Sequence, residues 1–247
     1  MVSKIPPIFV SHGVEPSARD RVSPELAQWA RELPHPHAIL VISSGWQEEQ
    51  PTRGSTGRPR LLGETNGITY DAPGAPDLAY ELHALMPVER SDRGWDAGVF
   101  GPLSHLFPAA DIPVLQLSLV TGAVPRRLFG LGRKIGVLAA RGCLIVGSGN
   151  ITFSETERAA DPNAPPLEWA REFDAWVANL LADAELEDLL QWRAKGPHAR
   201  RAQPFSRYLD PLFVVAGAAS LYDHAVGFPI RAFDFGSISR RCIQFGR

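Results

Sequence analysis

Three short apolar runs, each ending in small polar residues, dominate the pattern of hydrophobic and polar positions along the chain. Residues 38–42 form an unbroken apolar run with β-branched side chains, which is typical of a strand buried on both faces of a parallel sheet. Similar runs cover residues 7–10 and 143–146. Because ligands of open α/β sheets bind beyond the carboxyl ends of the strands, the three polar ends predict one site. These ends read Ser43-Ser44-Gly45-Trp46, Ser11-His12-Gly13 and Gly147-Ser148-Gly149-Asn150.

Apolar residues at helical spacing predict the helices of the chain. One helix begins after Ser23, a typical N-cap, with Pro24 at its first position, and it ends before Pro34. Further helices are predicted at residues 77–86, 101–107, 126–141, 167–181, 186–192 and 211–219, and further strands at 113–119, 232–235 and 241–245. Segments 47–67, 95–100, 155–166 and 198–210 are predicted to be loops or irregular. With no internal repeat or linker, the sequence predicts a single α/β domain over residues 1–247, with a central, largely parallel sheet flanked by helices.

The composition gives no indication of nucleic-acid or membrane binding. It has 247 residues, of which 45% are hydrophobic and 21% charged, and a formal net charge of -2, which argues against a nucleic-acid groove. No apolar run approaches about 18 residues, and the first segment is too short and too rich in proline for a signal peptide, so no membrane contact is expected. Cys143 and Cys242 lie in strand-like apolar runs, so we expect two buried thiols and a cytoplasmic location.

Common catalytic motifs are missing from the sequence. The seven histidines include no His-x-x-x-His or His-Glu-x-x-His pair, which removes the metalloprotease signal. The chain also has no Gly-x-Gly-x-x-Gly, Walker or Gly-x-Ser-x-Gly sequence. Only His12 follows one of the three strands directly, so it is the first candidate for chemistry at the predicted edge.

Several longer motifs nevertheless keep a characteristic order. They are Ile8-Phe9-Val10-Ser11-His12-Gly13, residues 38–46 and 70–79, Trp95-Asp96-Ala97-Gly98, residues 110–119, Gly147-Ser148-Gly149-Asn150, residues 169–174, Pro197-His198-Ala199-Arg200 and Gly236-Ser237-Ile238-Ser239. Their order resembles the class III extradiol ring-cleaving dioxygenases of the LigB or 4,5-DOPA dioxygenase type. The resemblance implies a LigB-like dioxygenase fold with a deep pocket for a catechol-like ring. It also implies a metal, Fe(II) or Zn(II), that histidines hold and that binds catecholate and dioxygen.

The chain departs from the family where the metal is held. The resemblance assigns the first ligand to His12, but the second ligand position is Gly45 and the histidine after the Gly-Ser-Gly turn is Phe153. The family Pro-Glu-His becomes Ser206-Arg207-Tyr208, and a pocket histidine becomes Ala97. One imidazole does not hold Fe(II), since protein sites use about three ligands. We therefore expect no metal cofactor. The alternative is a rebuilt site, with ligands drawn from Glu15, Glu48, Glu155, His105 and Tyr208.

The candidate catalytic residues are His12, Glu15 and Tyr208. His12 is either a general base or a histidine left from the metal site. Glu15 either orients His12 or is a solvated carboxylate in a turn. Tyr208 either binds a substrate oxygen or closes an emptied cavity.

The candidate substrate-binding residues are Ser44, Trp46, Asp96, Asn150, Phe153 and Gln203. Trp46 and Phe153 would form walls, although Phe153 could simply fill volume. Asn150 either orients a ligand carbonyl or completes a turn. Asp96 either binds substrate or has a structural role in a turn that matches the family.

Three functions remain open. The first is a metal-independent enzyme for, or binder of, a small aromatic or phenolic molecule. The alternative is a non-catalytic subunit that pairs with a second copy or with an active dioxygenase relative. The third is a ring-cleaving dioxygenase with substituted metal ligands. A concave pocket with polar groups would favour the first, and a large exposed apolar face the second.

Overall fold

The computed structural model describes residues 5–11, 24–65, 67–222 and 225–246. Its strands are β1 (Ile8–Ser11), β2 (Ala38–Ser43), β3 (Gln47–Glu48), β4 (Thr52–Arg53), β5 (Glu89–Arg90), β6 (Val114–Gln116), β7 (Leu119–Val120), β8 (Cys143–Gly149), β9 (Val226–Gly227), β10 (Phe233–Asp234), β11 (Ile238–Ser239) and β12 (Ile243–Phe245). Its α-helices are α1 (Pro24–Glu32), α2 (Pro76–Leu85), α3 (Ala97–Leu106), α4 (Pro125–Ile135), α5 (Glu168–Ala182), α6 (Leu186–Leu190), α7 (Trp192–Lys195), α8 (Ala199–Ala202) and α9 (Asp210–Ala219). Short 3₁₀ segments cover Gly136–Arg141 and Ser206–Tyr208.

The central sheet has the strand order β6-β2-β8-β1-β12-β9. Strands β6, β2, β8 and β1 are parallel, and β12 and β9 add an antiparallel edge. The unbroken apolar run of β2 lies between two parallel neighbours, and its residues from Ile39 to Ile42 are fully buried. The predicted α/β architecture with a largely parallel central sheet is therefore confirmed.

Helices cover both faces of the sheet. Leu40 and Ile42 of β2 belong to a core with α4, α5 and α9, whereas Ile39 and Val41 belong to a second core with α1 and α3. This division follows from the alternation of side chains along a strand. The long apolar helix α9 is buried over its whole length, as its lack of a polar face predicts.

Some segments differ from the sequence-based predictions. The prediction of a loop at 95–100 is wrong, because α3 already begins after Asp96, whose carboxylate caps its N-terminus. The predicted loop 47–67 contains β3 and β4, and the predicted strand 113–119 is divided into β6 and β7. The predicted N-cap Ser23 lies outside the described residues. No helix in the described ranges is both long and apolar enough to cross a bilayer.

Candidate functional site

The register of the parallel strands brings polar residues together at the predicted edge. Ser43 is paired with Ser148, and Gln116 is paired with Val41, two residues before Ser43. Because side chains alternate along a strand, Ser43, Ser148 and Gln116 lie on the same face of the sheet, the face that α3 covers. All three are fully buried. Gln116 was not among the sequence candidates, although a glutamine inside an apolar strand is the signal that could have indicated it.

Asp96 is the centre of this buried polar cluster. Its Oδ1 accepts hydrogen bonds from the Gly98 backbone N–H at 2.9 Å and from Ser43 Oγ at 2.9 Å. Its Oδ2 accepts from Gln116 Nε2 at 2.6 Å and lies 3.4 Å from the guanidinium of Arg93. The carboxylate thus joins the start of α3 to the ends of β2 and β6. With four donors around it, Asp96 has little acceptor capacity left for a ligand.

Gly45 lies directly beside this carboxylate. A β-carbon at Gly45 would be 2.9 Å from both Cγ and Oδ1 of Asp96, closer than non-bonded atoms approach. A side chain at the position where the resemblance implies a metal-binding histidine would therefore require the Asp96 carboxylate to move.

Phe153 and Tyr208 form a second part of the site. Their rings are stacked, with centroids 4.2 Å apart and an interplanar angle of 29°. Both side chains are only half-buried. The Tyr208 hydroxyl accepts a hydrogen bond from Arg207 Nη2 at 2.9 Å, and the same guanidinium lies 4.9 Å from the ring centroid. The two residues at positions where the resemblance implies histidines are thus in contact with each other.

The backbone of the turn after β8 holds this aromatic pair in position. The Asn150 N–H donates to the Tyr208 carbonyl at 2.8 Å, and the Phe153 N–H donates to the Ala202 carbonyl at 2.9 Å. Gln203 Nε2 donates to the carbonyls of Asn150 and Ile151 at 2.8 and 2.9 Å. Gln203 is fully buried, so the structure places it as a support of the turn.

A buried chain of hydrogen bonds continues behind the turn. Asn150 Nδ2 donates to Ser11 Oγ at 3.4 Å, and Ser11 Oγ donates to the Ser239 carbonyl. Ser239 Oγ donates to Asp174 Oδ1 at 2.6 Å, and Arg241 pairs with the Asp174 carboxylate through two nitrogens. Asp174 and Arg241 were not predicted from the sequence, because each has an ordinary place in a helix or strand pattern.

Trp46 and Ser44 lie at the end of β2. Trp46 is buried, its Nε1 donates to Glu48 Oε1 at 2.7 Å, and the Arg93 guanidinium is 5.2 Å from its ring. The Ser44 backbone N–H donates to the Ser148 carbonyl at 2.9 Å. The candidate catalytic residues His12 and Glu15 lie outside the described residues.

Asp210 lies two residues after Tyr208, at the start of α9. Burial raises the pKa of this carboxyl group to about 7, and the positive charge of Arg193 opposes that rise. The group is 6% exposed. In the folded chain this carboxyl group therefore keeps its proton to a higher pH than an exposed carboxyl group does.

The described residues at the positions where the resemblance places ligands do not fit a divalent metal. Gly45 has no side chain, Phe153 has no donor atom, and the ring of Tyr208 is stacked on Phe153. Within the described ranges, no three His, Cys, Asp or Glu side chains are grouped so that they could hold a metal ion.

Comparisons with known proteins agree with the motifs. The family described as the catalytic LigB subunit of aromatic ring-opening dioxygenase matches residues 2–228. A 4,5-DOPA dioxygenase extradiol of Beta vulgaris is 32% identical, and the match covers 85% of each chain. A protein of the same description from Escherichia coli (strain K12) is 30% identical, and the match covers 99% of this chain and 96% of that one.

A solved structure is also similar in fold. The crystal structure of an uncharacterized protein from Escherichia coli K12 superposes with a TM-score of 0.84 at 27% sequence identity, covering 98% of this chain and 100% of that one. The resemblance that the ordered motifs indicate is therefore confirmed, and the chain belongs to the LigB family of aromatic ring-opening dioxygenases.

Proposed function

We propose that this LigB-family chain binds, or acts without metal on, a small aromatic or phenolic molecule at the carboxyl ends of β1, β2 and β8. The relatives named 4,5-DOPA dioxygenase extradiol suggest the ligand class, a phenol or catechol ring. The observation that carries the proposal is the contact between Asp96 and Gly45. The Asp96 carboxylate lies beside Gly45, where the side chain of a family ligand would begin. Ser43, Gln116 and Gly98 already donate hydrogen bonds to this carboxylate.

The aromatic pair supplies the binding surface in this proposal. Phe153 and Tyr208 are half-buried, so a face or edge of the stack remains available to a planar ring. The Tyr208 hydroxyl accepts from Arg207, which leaves its own proton for a phenolic or carboxylate oxygen of the ligand. Arg207 is exposed and adds positive charge beside that oxygen.

The acid–base part of the proposal rests on the sequence. His12 follows β1 directly, and the end of β1 is paired with the end of β8, because Ser11 is in register with Gly149. An imidazole at this end could accept the proton of a phenol. Glu15 would assist it, whereas Asn150 and Ser44 would line the same edge.

Ligand binding to metal-free protein tests the proposal. The chain is dialysed against EDTA and titrated with catechol and with phenol by calorimetry. We expect saturable binding, and Tyr208→Phe should weaken it by about three- to tenfold, since one hydrogen bond contributes about 1 kcal/mol. Tyr222→Phe is the matched control, because it removes a hydroxyl that donates to the Gly136 carbonyl, at the opposite end of α9 from Tyr208. His12→Ala should abolish turnover or weaken binding without unfolding the chain.

Two results would overturn the proposal. Stoichiometric, tight binding of Fe(II) or Zn(II) together with oxygen uptake on catechol would identify a ring-cleaving dioxygenase with substituted ligands. No binding of either probe would favour the non-catalytic subunit, whose pairing with a second copy or with an active relative can be measured by sedimentation.

A further inference from the structure

Two arginines face each other across a pair of short strands outside the candidate site. Strands β4 and β5 are parallel, and Arg53 is in register with Arg90. Side chains at paired positions point to the same face, and both arginines line one groove. Two positive charges on one face repel each other.

The described surroundings of this pair offset its positive charge only in part. Arg53 and Arg90 form no ion pair with any described residue, although other surface arginines do. Burial lowers the pKa of Arg53, Arg90 lowers it next, and the opposing effect of Asp92 is smaller. Arg53 Nη1 donates to the Gly54 carbonyl at 2.8 Å, and its Nε is buried without a partner in the described residues.

The pair opens onto a groove against helix α2, which we call the arginine groove. It has a volume of about 460 Å³, and the residues that give it chemical character are Arg53, Arg90, Thr56, Tyr80 and His83. Tyr80 is 80% exposed, and His83 Nε2 is buried without a partner in the described part of the chain. None of the lining residues is acidic, and none belongs to the candidate site at the ends of β1, β2 and β8.

We propose that the arginine groove binds a planar molecule that carries a carboxylate or phosphate group. Paired guanidinium groups match the geometry of such an oxyanion and can donate two parallel hydrogen bonds to it. The ligand's charge would remove the repulsion between Arg53 and Arg90. The exposed ring of Tyr80 offers a face on which a planar group stacks. The groove has the volume of a small-molecule site, about 300–1,000 Å³.

Three probes separate the parts of this proposal: phenyl phosphate, benzoate and inorganic phosphate, each titrated into the full chain by NMR. Phenyl phosphate or benzoate should bind, and the tighter of the two identifies the oxyanion.

Arg90→Gln should weaken that binding by about tenfold or more, which corresponds to one charge-assisted hydrogen bond. Arg133→Gln on α4 removes the same charge from an exposed site elsewhere and should change the affinity less than about twofold. Tyr80→Ala should weaken the two aromatic probes and leave inorganic phosphate unaffected.

Thermal unfolding distinguishes a binding role from a structural one. Without ligand, Arg90→Gln should raise the melting temperature, because it removes one of two like charges. If Arg90 has a structural role, the substitution should lower the melting temperature instead. Absence of binding by all three probes, or equal weakening by Arg90→Gln and Arg133→Gln, would overturn the proposal. The NMR signals of residues that line the groove report this binding, so the outcome is independent of the proposed function at the aromatic pair.

Discussion

The Asp96 carboxylate occupies the space into which a side chain on Gly45 would extend. Its Cγ and Oδ1 both lie 2.9 Å from the position of a Gly45 β-carbon. The carboxylate is held there from three directions, by Ser43 of β2, by Gln116 of β6 and by the first turn of α3. A residue larger than glycine at position 45 therefore competes with this network for the same space.

Gly45→Ala should lower the free energy of unfolding by about 1–3 kcal/mol, as expected for overpacking. In an Asp96→Ala background the same change should cost little, because the atoms that it meets are gone. A double-mutant cycle by urea unfolding measures the difference. Gly57→Ala is the control, since a β-carbon there meets nothing within 4 Å. An equal cost of Gly45→Ala in both backgrounds would contradict this account.

The central strands and most helices could be predicted because their signals are local. The apolar run of β2 and the proline at the start of α1 each indicate an element without knowledge of the rest of the chain. The contact between Gly45 and Asp96 has no such signal. It depends on the strand register, on the start of α3 and on Gln116 of β6, which lies beside β2 in the sheet. The stack of Phe153 on Tyr208 is also a long-range contact, which the family resemblance could place only residue by residue.

The buried pair of Asp174 and Arg241 should be important for stability. Its side chains are 3% and 13% exposed, and Ser239 donates a further hydrogen bond to the carboxylate. Asp174→Asn leaves the Arg241 charge buried without a counter-charge, so it should lower the free energy of unfolding by about 3–5 kcal/mol. Asp188→Asn, which breaks the exposed pair with Lys195, should have a much smaller effect. Chemical denaturation of the two variants compares them directly, and similar losses would be inconsistent with a buried ion pair.

Substitution by alanine should change stability in opposite directions at Gly142 and Gly130. Gly142 ends the 3₁₀ segment with a φ of 86°, a conformation that strains L-residues, so Gly142→Ala should destabilise by about 1–2 kcal/mol. Gly130 lies inside α4 and a β-carbon there would meet nothing within 4 Å. Gly130→Ala should therefore stabilise by about 0.5–1 kcal/mol. Melting temperatures of the two variants test both signs, and a shift in the same direction for both would show that one assignment is wrong.

Asp210 should make stability depend on pH around neutrality. Burial raises its pKa from 3.8 to about 7 in the folded chain. Between these values the folded state holds a proton that the unfolded state has released, so the contribution of Asp210 to stability is complete below pH 3.8 and is lost as the pH rises to about 7. Asp210→Asn removes this loss, because the amide stays neutral.

The measurement is the difference in unfolding free energy between Asp210→Asn and the native chain at several pH values. This difference should shift in favour of the variant by about 2–4 kcal/mol from pH 4 to pH 8, the upper value being about three pKa units at 1.4 kcal/mol each. The position of Asp210 at the start of α9 favours the lower value, since a helix N-terminus stabilises a carboxylate. Arg193→Gln removes the positive charge that opposes the rise in pKa, so the fall in stability should become larger and extend to higher pH. A difference that stays constant from pH 4 to pH 8 would mean that the Asp210 carboxyl ionises with its ordinary pKa.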